Sequence, residues 1–341
     1  MNKTEHTDIL IVGQGLAGTL LSYHLLKRKI AHKIIDIYKA GCASRAAAGL
    51  INPIVVKRIT RTWQADIFQP YAHSLYSELE QFLAKRFYYP MPINKIYGKD
   101  DEQFWRHRMQ KDGLEEQLSC EAKTDLPEGI HQPYGYGTIH RCARLDMITL
   151  LDSYRQFITQ NKILIEDELY DDDVLIAEEG VQWKHIKAGR IIFCRGSFDS
   201  KSRFFEHLKW NNTKGELLDV EIPDLHLPSI LSKGVFVMPV GANRFKIGAT
   251  YAHHWEDLAP TEDKLEELMN KWQIISDLPL SITQQITGIR PTLADRRPVL
   301  SLLEKHPQVG LFNGLGSRGG LMAPYLAKQL TEQISYLEPS I

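Results

Sequence analysis

Three glycines near the start of the chain, Gly13, Gly15 and Gly18, stand in G-x-G-x-x-G spacing behind the apolar run of residues 8–12. That spacing suits a pyrophosphate. Gly13 permits a tight turn, Gly15 removes the Cβ where phosphate must approach the backbone, and Gly18 lets a helix opening at Leu16 and Ala17 pack on the strand. The amides and the positive end of the helix dipole then face the anion. Asp36 ends a second strand-like run, residues 31–37, about twenty residues beyond the loop, where a carboxylate can bind an adenosine ribose hydroxyl. A lone glycine pattern also fits an ordinary strand-to-helix turn. Strand, loop, helix, strand and acid in that order favour a dinucleotide site.

Two further stretches carry candidate ligand contacts. Residues 41–53, GCASRAAAGLINP, are mostly small. Ser44 and Arg45 could hydrogen-bond phosphate or ribose, while Ala46, Ala47, Ala48, Gly49 and Leu50 could lie under a flat ring system; a small-residue helix packed in the core fits equally well. Near the C-terminus, FNGLGSRGGLMAP places Gly314, Gly316, Gly319 and Gly320 before a final helix predicted over 325–337, where backbone amides would line an anion-receptive surface. Gly196, just past an apolar strand, could admit a cofactor.

Metal chemistry finds little support. Cys42, Cys120, Cys142 and Cys194 show no C-x-x-C and no ligand spacing with histidine, and the adjacent His253 and His254 would point to opposite faces of a strand. No metal site is expected.

The elements that must hold these residues follow from periodicity. Leu16, Leu20, Leu21 and Leu25 mark a helix over 16–29. Further helices are expected over 68–87, 145–158 and 261–272, the last with Thr261 as N-cap. Residues 88–97 and 163–169 are strand-like, and 181–194 reads as one strand returning to a buried sheet. Residues 215–220, 234–240 and 244–251 suggest antiparallel strands with a turn near Gly241 and Asn243, and 281–287 suggests another. The mixture predicts an α/β fold.

Apolar residues at 43% and charged residues at 24% are ordinary for a globular chain of 341 residues, long enough for two domains. Lys plus Arg number 41 against 42 Asp plus Glu, so no global field draws nucleic acid or an anionic membrane. The N-terminal residues lack the pattern of a signal peptide, no run is apolar enough to span a bilayer, and a cytoplasmic location is expected.

The stretches GQGLAG, ASRAAAGLINP, IIFCRGS, KGELL, KIGATY, GIRPTLADRRP and GLGSRGGLMAPYLAKQL, in this order, resemble the D-amino-acid oxidase and glycine oxidase family of FAD-dependent oxidoreductases. The C-terminal segment GLGSRG followed by AP is also similar to the FAD domain of the bifunctional tRNA wobble-uridine modification enzyme. The resemblance implies a Rossmann-like FAD domain, residues 1–65, 141–214 and 286–341, under a mixed-sheet substrate domain, residues 66–140 and 215–285. It adds Val174, Cys194, Gly288, Ser317, Arg318 and Leu321 to the cofactor contacts. It also implies that Arg290 of G-I-R-P grips the substrate carboxylate, for which a planar guanidinium fork is the matching donor. A structural ion pair is the alternative for that arginine. Where glycine oxidase has a tyrosine before its V-P element this chain has Phe236, so a substrate phenol would have to come from Tyr251 or Tyr134.

The implied activity is oxidation of the C–N bond in a small carboxylate-bearing amine or amino acid, with O2 or another electron acceptor closing the cycle. Oxidation of a 2-hydroxy acid, removal of a carboxymethyl group from a tRNA base, and a non-catalytic FAD-binding module are alternatives. A tRNA partner would use basic and aromatic residues such as Lys57, Arg58, Arg61, Arg86, Tyr88, Tyr89 and the run 105–111, although solvated faces suit the neutral net charge better.

Overall fold

The computed structural model describes residues 4–336. The glycine loop joins the strand Glu5–Val12 to the helix Leu16–Lys27, whose Leu20, Leu21 and Leu25 are fully buried. Each such leucine contributes about 1.5–3 kcal/mol of burial free energy. Glu5–Val12 lies at the centre of a parallel array, with His32–Ile35 and Leu164–Ile165 on one side and Ile186–Phe193 and Val309–Asn313 on the other. The helices Leu16–Lys27, Ala65–Leu83, Met147–Gln160 and Gly319–Tyr336 contribute to the core cluster on one face. The opposite face is covered by an aromatic cluster that includes Trp183, Phe193, Phe204 and Phe205.

The single strand expected over 181–194 is a hairpin. Gly180–Trp183 turns at Lys184, which takes a left-handed φ of 52°, and returns as Ile186–Phe193. The turn carries no Gly or Pro, so no breaker marked it. Ile186–Phe193 then forks, its first residues pairing with Gly180–Trp183 and its last three with Val309–Asn313.

A second, mixed sheet runs Ser281–Arg290, Thr213–Glu221, Arg244–Gly248, Val235–Gly241, Ile230–Lys233, Ile93–Ile96, Tyr136–Ile139 and Leu118–Lys123. Helix Glu262–Ile275 packs on it through Leu268, Trp272 and Ile275. Thr261 stands at the N-cap, yet its hydroxyl donates to Glu216 Oε1 at 3.1 Å rather than capping the helix. The longest ladder pairs Thr213–Glu221 with Ser281–Arg290, ending at the rung Thr213 to Arg290 and shifting register beside Asp219, where Thr283 has no partner residue. Residue 286, expected as a segment boundary, lies inside this strand.

The final helix begins at Gly319, six residues before the expected start, with Pro324 inside its first turns. Leu337, its expected end, lies outside the described residues. No helix among the described residues is long and apolar enough to cross a membrane.

Candidate active site

A cavity of about 1290 Å³ lies between the two sheets. It exceeds the ~1,000 Å³ upper range for a drug-sized ligand, which leaves space for a dinucleotide and a small substrate together. At one end Gly13 turns with φ +105°, and a Cβ there would stand 2.7 Å from the Cys194 carbonyl oxygen. A Cβ on Gly18 would stand 1.9 Å from the Gly13 carbonyl oxygen, so this glycine lets the helix close on the loop without reaching the cavity wall. Gly15, Leu16 and Ala17 do line the wall. Ser44 Oγ accepts from the Leu16 amide at 3.0 Å and pins the small-residue segment over the loop.

Asp36 follows its strand and faces the same end. Its Oδ1 accepts from the Gln14 amide at 2.8 Å and its Oδ2 from Arg155 Nη1 at 2.6 Å. Arg155, on Met147–Gln160, also binds Glu166 at 2.9 Å. Neither Gln14 nor Arg155 was foreseen. Both reach Asp36 through tertiary contact, which leaves no local pattern. Arg45 spans to Asp152 at 2.5 Å and lies over the Tyr38 ring.

The segment 43–50 is at once cavity wall and tightly packed core. Ala46, Ala47, Ala48, Gly49 and Leu50 line the cavity. The same residues are tightly packed: a Cβ on Gly49, at φ +79°, would meet the Leu145 carbonyl oxygen at 1.8 Å, and a Cβ on Gly288 would meet Ala46 Cβ at 2.5 Å. Cys194, Gly196 and Gly288 line the wall, as do Gly316, Ser317, Arg318, Gly319, Gly320 and Leu321 at the start of the last helix. Burial pushes the Cys194 thiol well up, which keeps it protonated. Besides Gly18, two expected contacts do not reach the cavity. Val174 is buried in the hairpin Val174–Ala177 and Gly180–Trp183 against Trp183, and Gly314 packs on Arg297 and Pro298.

Arg290 lies at the other end, held by its rung on Thr213. Its Nη1 donates to the Thr250 carbonyl at 3.2 Å, and its guanidinium lies 4.1 Å over the Tyr251 ring. No carboxylate within ion-pair distance of it stands among the described residues, so the structural ion pair is absent there. Desolvation lowers its pKa from the ordinary arginine value. A Cβ on Gly215 would stand 2.2 Å from Arg290 Nη2, so a bare backbone is what leaves the guanidinium its place. Phe236 and Tyr251 line the cavity, while the exposed Tyr134 does not.

The bare turn at Gly13, the anchored acid at Asp36 and the cavity's size fit a dinucleotide with a ring system, and the family model settles its class. The model for FAD-dependent oxidoreductases of DAO type matches residues 8–333. The chain belongs to this family. An uncharacterized oxidoreductase, YurR of Bacillus subtilis (strain 168), is 21% identical over 95% of this chain and 94% of its own length. The tRNA 5-methylaminomethyl-2-thiouridine biosynthesis bifunctional protein MnmC of Idiomarina loihiensis is 29% identical over 113 residues, 32% of this chain and 18% of MnmC. The fold matches iminodiacetate oxidase from Chelativorans sp. BNC1 with TM-score 0.79 at 18% identity, covering 98% of this chain and 96% of that one. Glycine oxidase from Geobacillus kaustophilus matches with TM-score 0.79 at 17% identity, covering 99% and 97%. The mixed α/β, two-sheet DAO architecture and FAD as cofactor were therefore legible in the motifs.

Proposed function

We propose that this FAD-dependent oxidoreductase oxidises the C–N bond of a small amine or amino acid bearing a carboxylate. The observation that carries the reading is Arg290, a partly dehydrated cation in the cavity wall with no carboxylate partner among the described residues. Such a fork is a receptor for a carboxylate in two parallel charge-assisted hydrogen bonds. The loop Gly13–Gly18, Asp36 and the segment 43–50 would hold FAD, with the last helix's N-terminal glycines completing the wall. Bound FAD supplies acceptance of a hydride from the substrate carbon. The chain's own residues then position rather than react. Arg290 fixes the carboxylate, Gly215 leaves it clearance, and Phe236 and Tyr251 bound the space beside it. Loss of hydride from the neutral amine leaves an iminium ion, which gives up a proton to solvent as the imine and is then hydrolysed by water.

The test is anaerobic bleaching of the bound flavin by a substrate panel. Carboxylate-bearing amines are expected to bleach it and the same amines without the carboxylate are not; Arg290→Lys is expected to raise KM at least ~10-fold. Bleaching by 2-hydroxy acids alone, or by nothing in the panel, refutes the C–N reading.

The tRNA alternative has less behind it. Of its basic and aromatic residues, Trp105 and Tyr88 are buried, Arg61 pairs with Asp66, and Arg108 pairs with Asp112. A salt-dependent gel shift with bulk tRNA would reopen it.

A further inference from the structure

We propose that the cavity selects a substrate with two anionic groups, one held by Arg290 and the second by Arg318. The inference rests on the C–N reading and narrows its substrate class. Both arginines line the cavity. The Gly316 amide donates to the Pro291 carbonyl at 2.9 Å, which ties the turn carrying Arg318 to the strand end carrying Arg290. Arg318 Nη1 donates to the Asn52 carbonyl at 2.8 Å and to Thr62 Oγ1 at 2.6 Å, both neutral acceptors. Arg290 likewise finds only the neutral Thr250 carbonyl.

Among the described residues no carboxylate balances the two charges. Each carboxylate on the cavity wall is engaged elsewhere: Asp36 and Glu166 by Arg155, Asp167 by Lys184, Glu168 by Lys39, Asp101 by Lys95, and Glu216 by Thr261, Gln285 and Lys214. Both arginines pay desolvation, which lowers both pKa values, and both stand within electrostatic reach of the Tyr251 phenol. Two dehydrated cations in one cavity leave a double positive charge there, and a single carboxylate neutralises half of it. A carboxylate pair does so, as would a carboxylate with a phosphonate. The family resemblance gives Arg318 to the cofactor; its side chain instead has unused Nε and Nη2 donors among the described residues.

The holoenzyme tests this by flavin difference spectra, with redox-inert ligands: the dicarboxylates malonate through adipate, each against its monomethyl ester. At least one dicarboxylate is expected to bind ~10- to 100-fold more tightly than its half-ester, the range set by charge-assisted hydrogen bonds. Arg318→Met is expected to erase that preference and Arg318→Lys to restore part of it. Equal affinities across the wild-type panel overturn the inference, whether or not the variants fold. So does a preference that survives Arg318→Met while the flavin potential shifts, because Arg318 then serves the cofactor. Bleaching by amines without any dicarboxylate preference sinks this inference and spares the C–N reading; a preference without bleaching does the reverse.

Discussion

Replacing Gly215 by alanine should disable substrate binding while leaving the fold and the flavin in place. The added Cβ would stand 2.2, 2.3 and 2.4 Å from Nη2, Nη1 and Cζ of Arg290, while ordinary van der Waals contact begins near 3.4 Å. The guanidinium must therefore retreat by 3.4 − 2.2 = 1.2 Å. The atoms displaced are the far end of a long side chain, so the strand need not move, and the stability cost stays near the low end of the ~1–3 kcal/mol of overpacking. Catalysis is less forgiving, since a misplacement of about 1 Å costs on the order of 100-fold. Steady-state kinetics on the FAD-loaded variant should show kcat/KM reduced about 100-fold. Melting temperature and flavin stoichiometry should remain near wild type. A variant with unchanged kcat/KM would refute the placement of Arg290 at the substrate.

Three other outcomes follow from the cofactor end and the core. Gly13→Ala must carry a side chain at φ +105° with its Cβ 2.7 Å from the Cys194 carbonyl oxygen; it should lose about 1–3 kcal/mol in denaturant unfolding and purify with less FAD. Asp36→Asn removes the charge that Arg155 and the Gln14 amide share. FAD should then dissociate ~10- to 100-fold more readily, measured by flavin fluorescence on dilution. His24 is buried against the Pro324 carbonyl, and desolvation lowers its pKa from 6.5 to about 4. The unfolded chain therefore takes up a proton first as pH falls from 6.5 to 4, and stability drops across that window by roughly 3 kcal/mol. Above pH 6.5 the group contributes no pH dependence. His24→Asn should flatten the acid limb of the unfolding free energy between those values.

Features that impose a local residue requirement were legible in the sequence. Gly13 is dictated by its positive-φ turn, Gly18 by a collision with the nearby Gly13 carbonyl, and Asp36 follows a strand end. Arg290 announced itself through G-I-R-P and the family resemblance. Contacts assembled by tertiary approach left no such trace: Arg155 reaches Asp36 from 119 residues away, and Arg318 reaches Thr62 from 256. Val174 came from the family resemblance alone, and here that position is a strand residue packed on Trp183. The hairpin turn at Lys184 escaped notice because a lysine there adopts a conformation usually left to glycine or asparagine.

The unpaired Thr283 has a consequence for how this scaffold tolerates length changes. Side chains alternate faces along a strand, so a register slip of one residue turns every one of them over. An insertion or deletion before Thr283 can be taken up at the irregularity, where the ladder already carries one residue more on this strand than on its neighbour. One placed between Gln284 and Ile289 has no such buffer and would rotate Arg290 from the cavity into the opposite side of the sheet. The six residues 284–289 thus act as a ruler of fixed length, and variation in the lobe should accumulate on the far side of it.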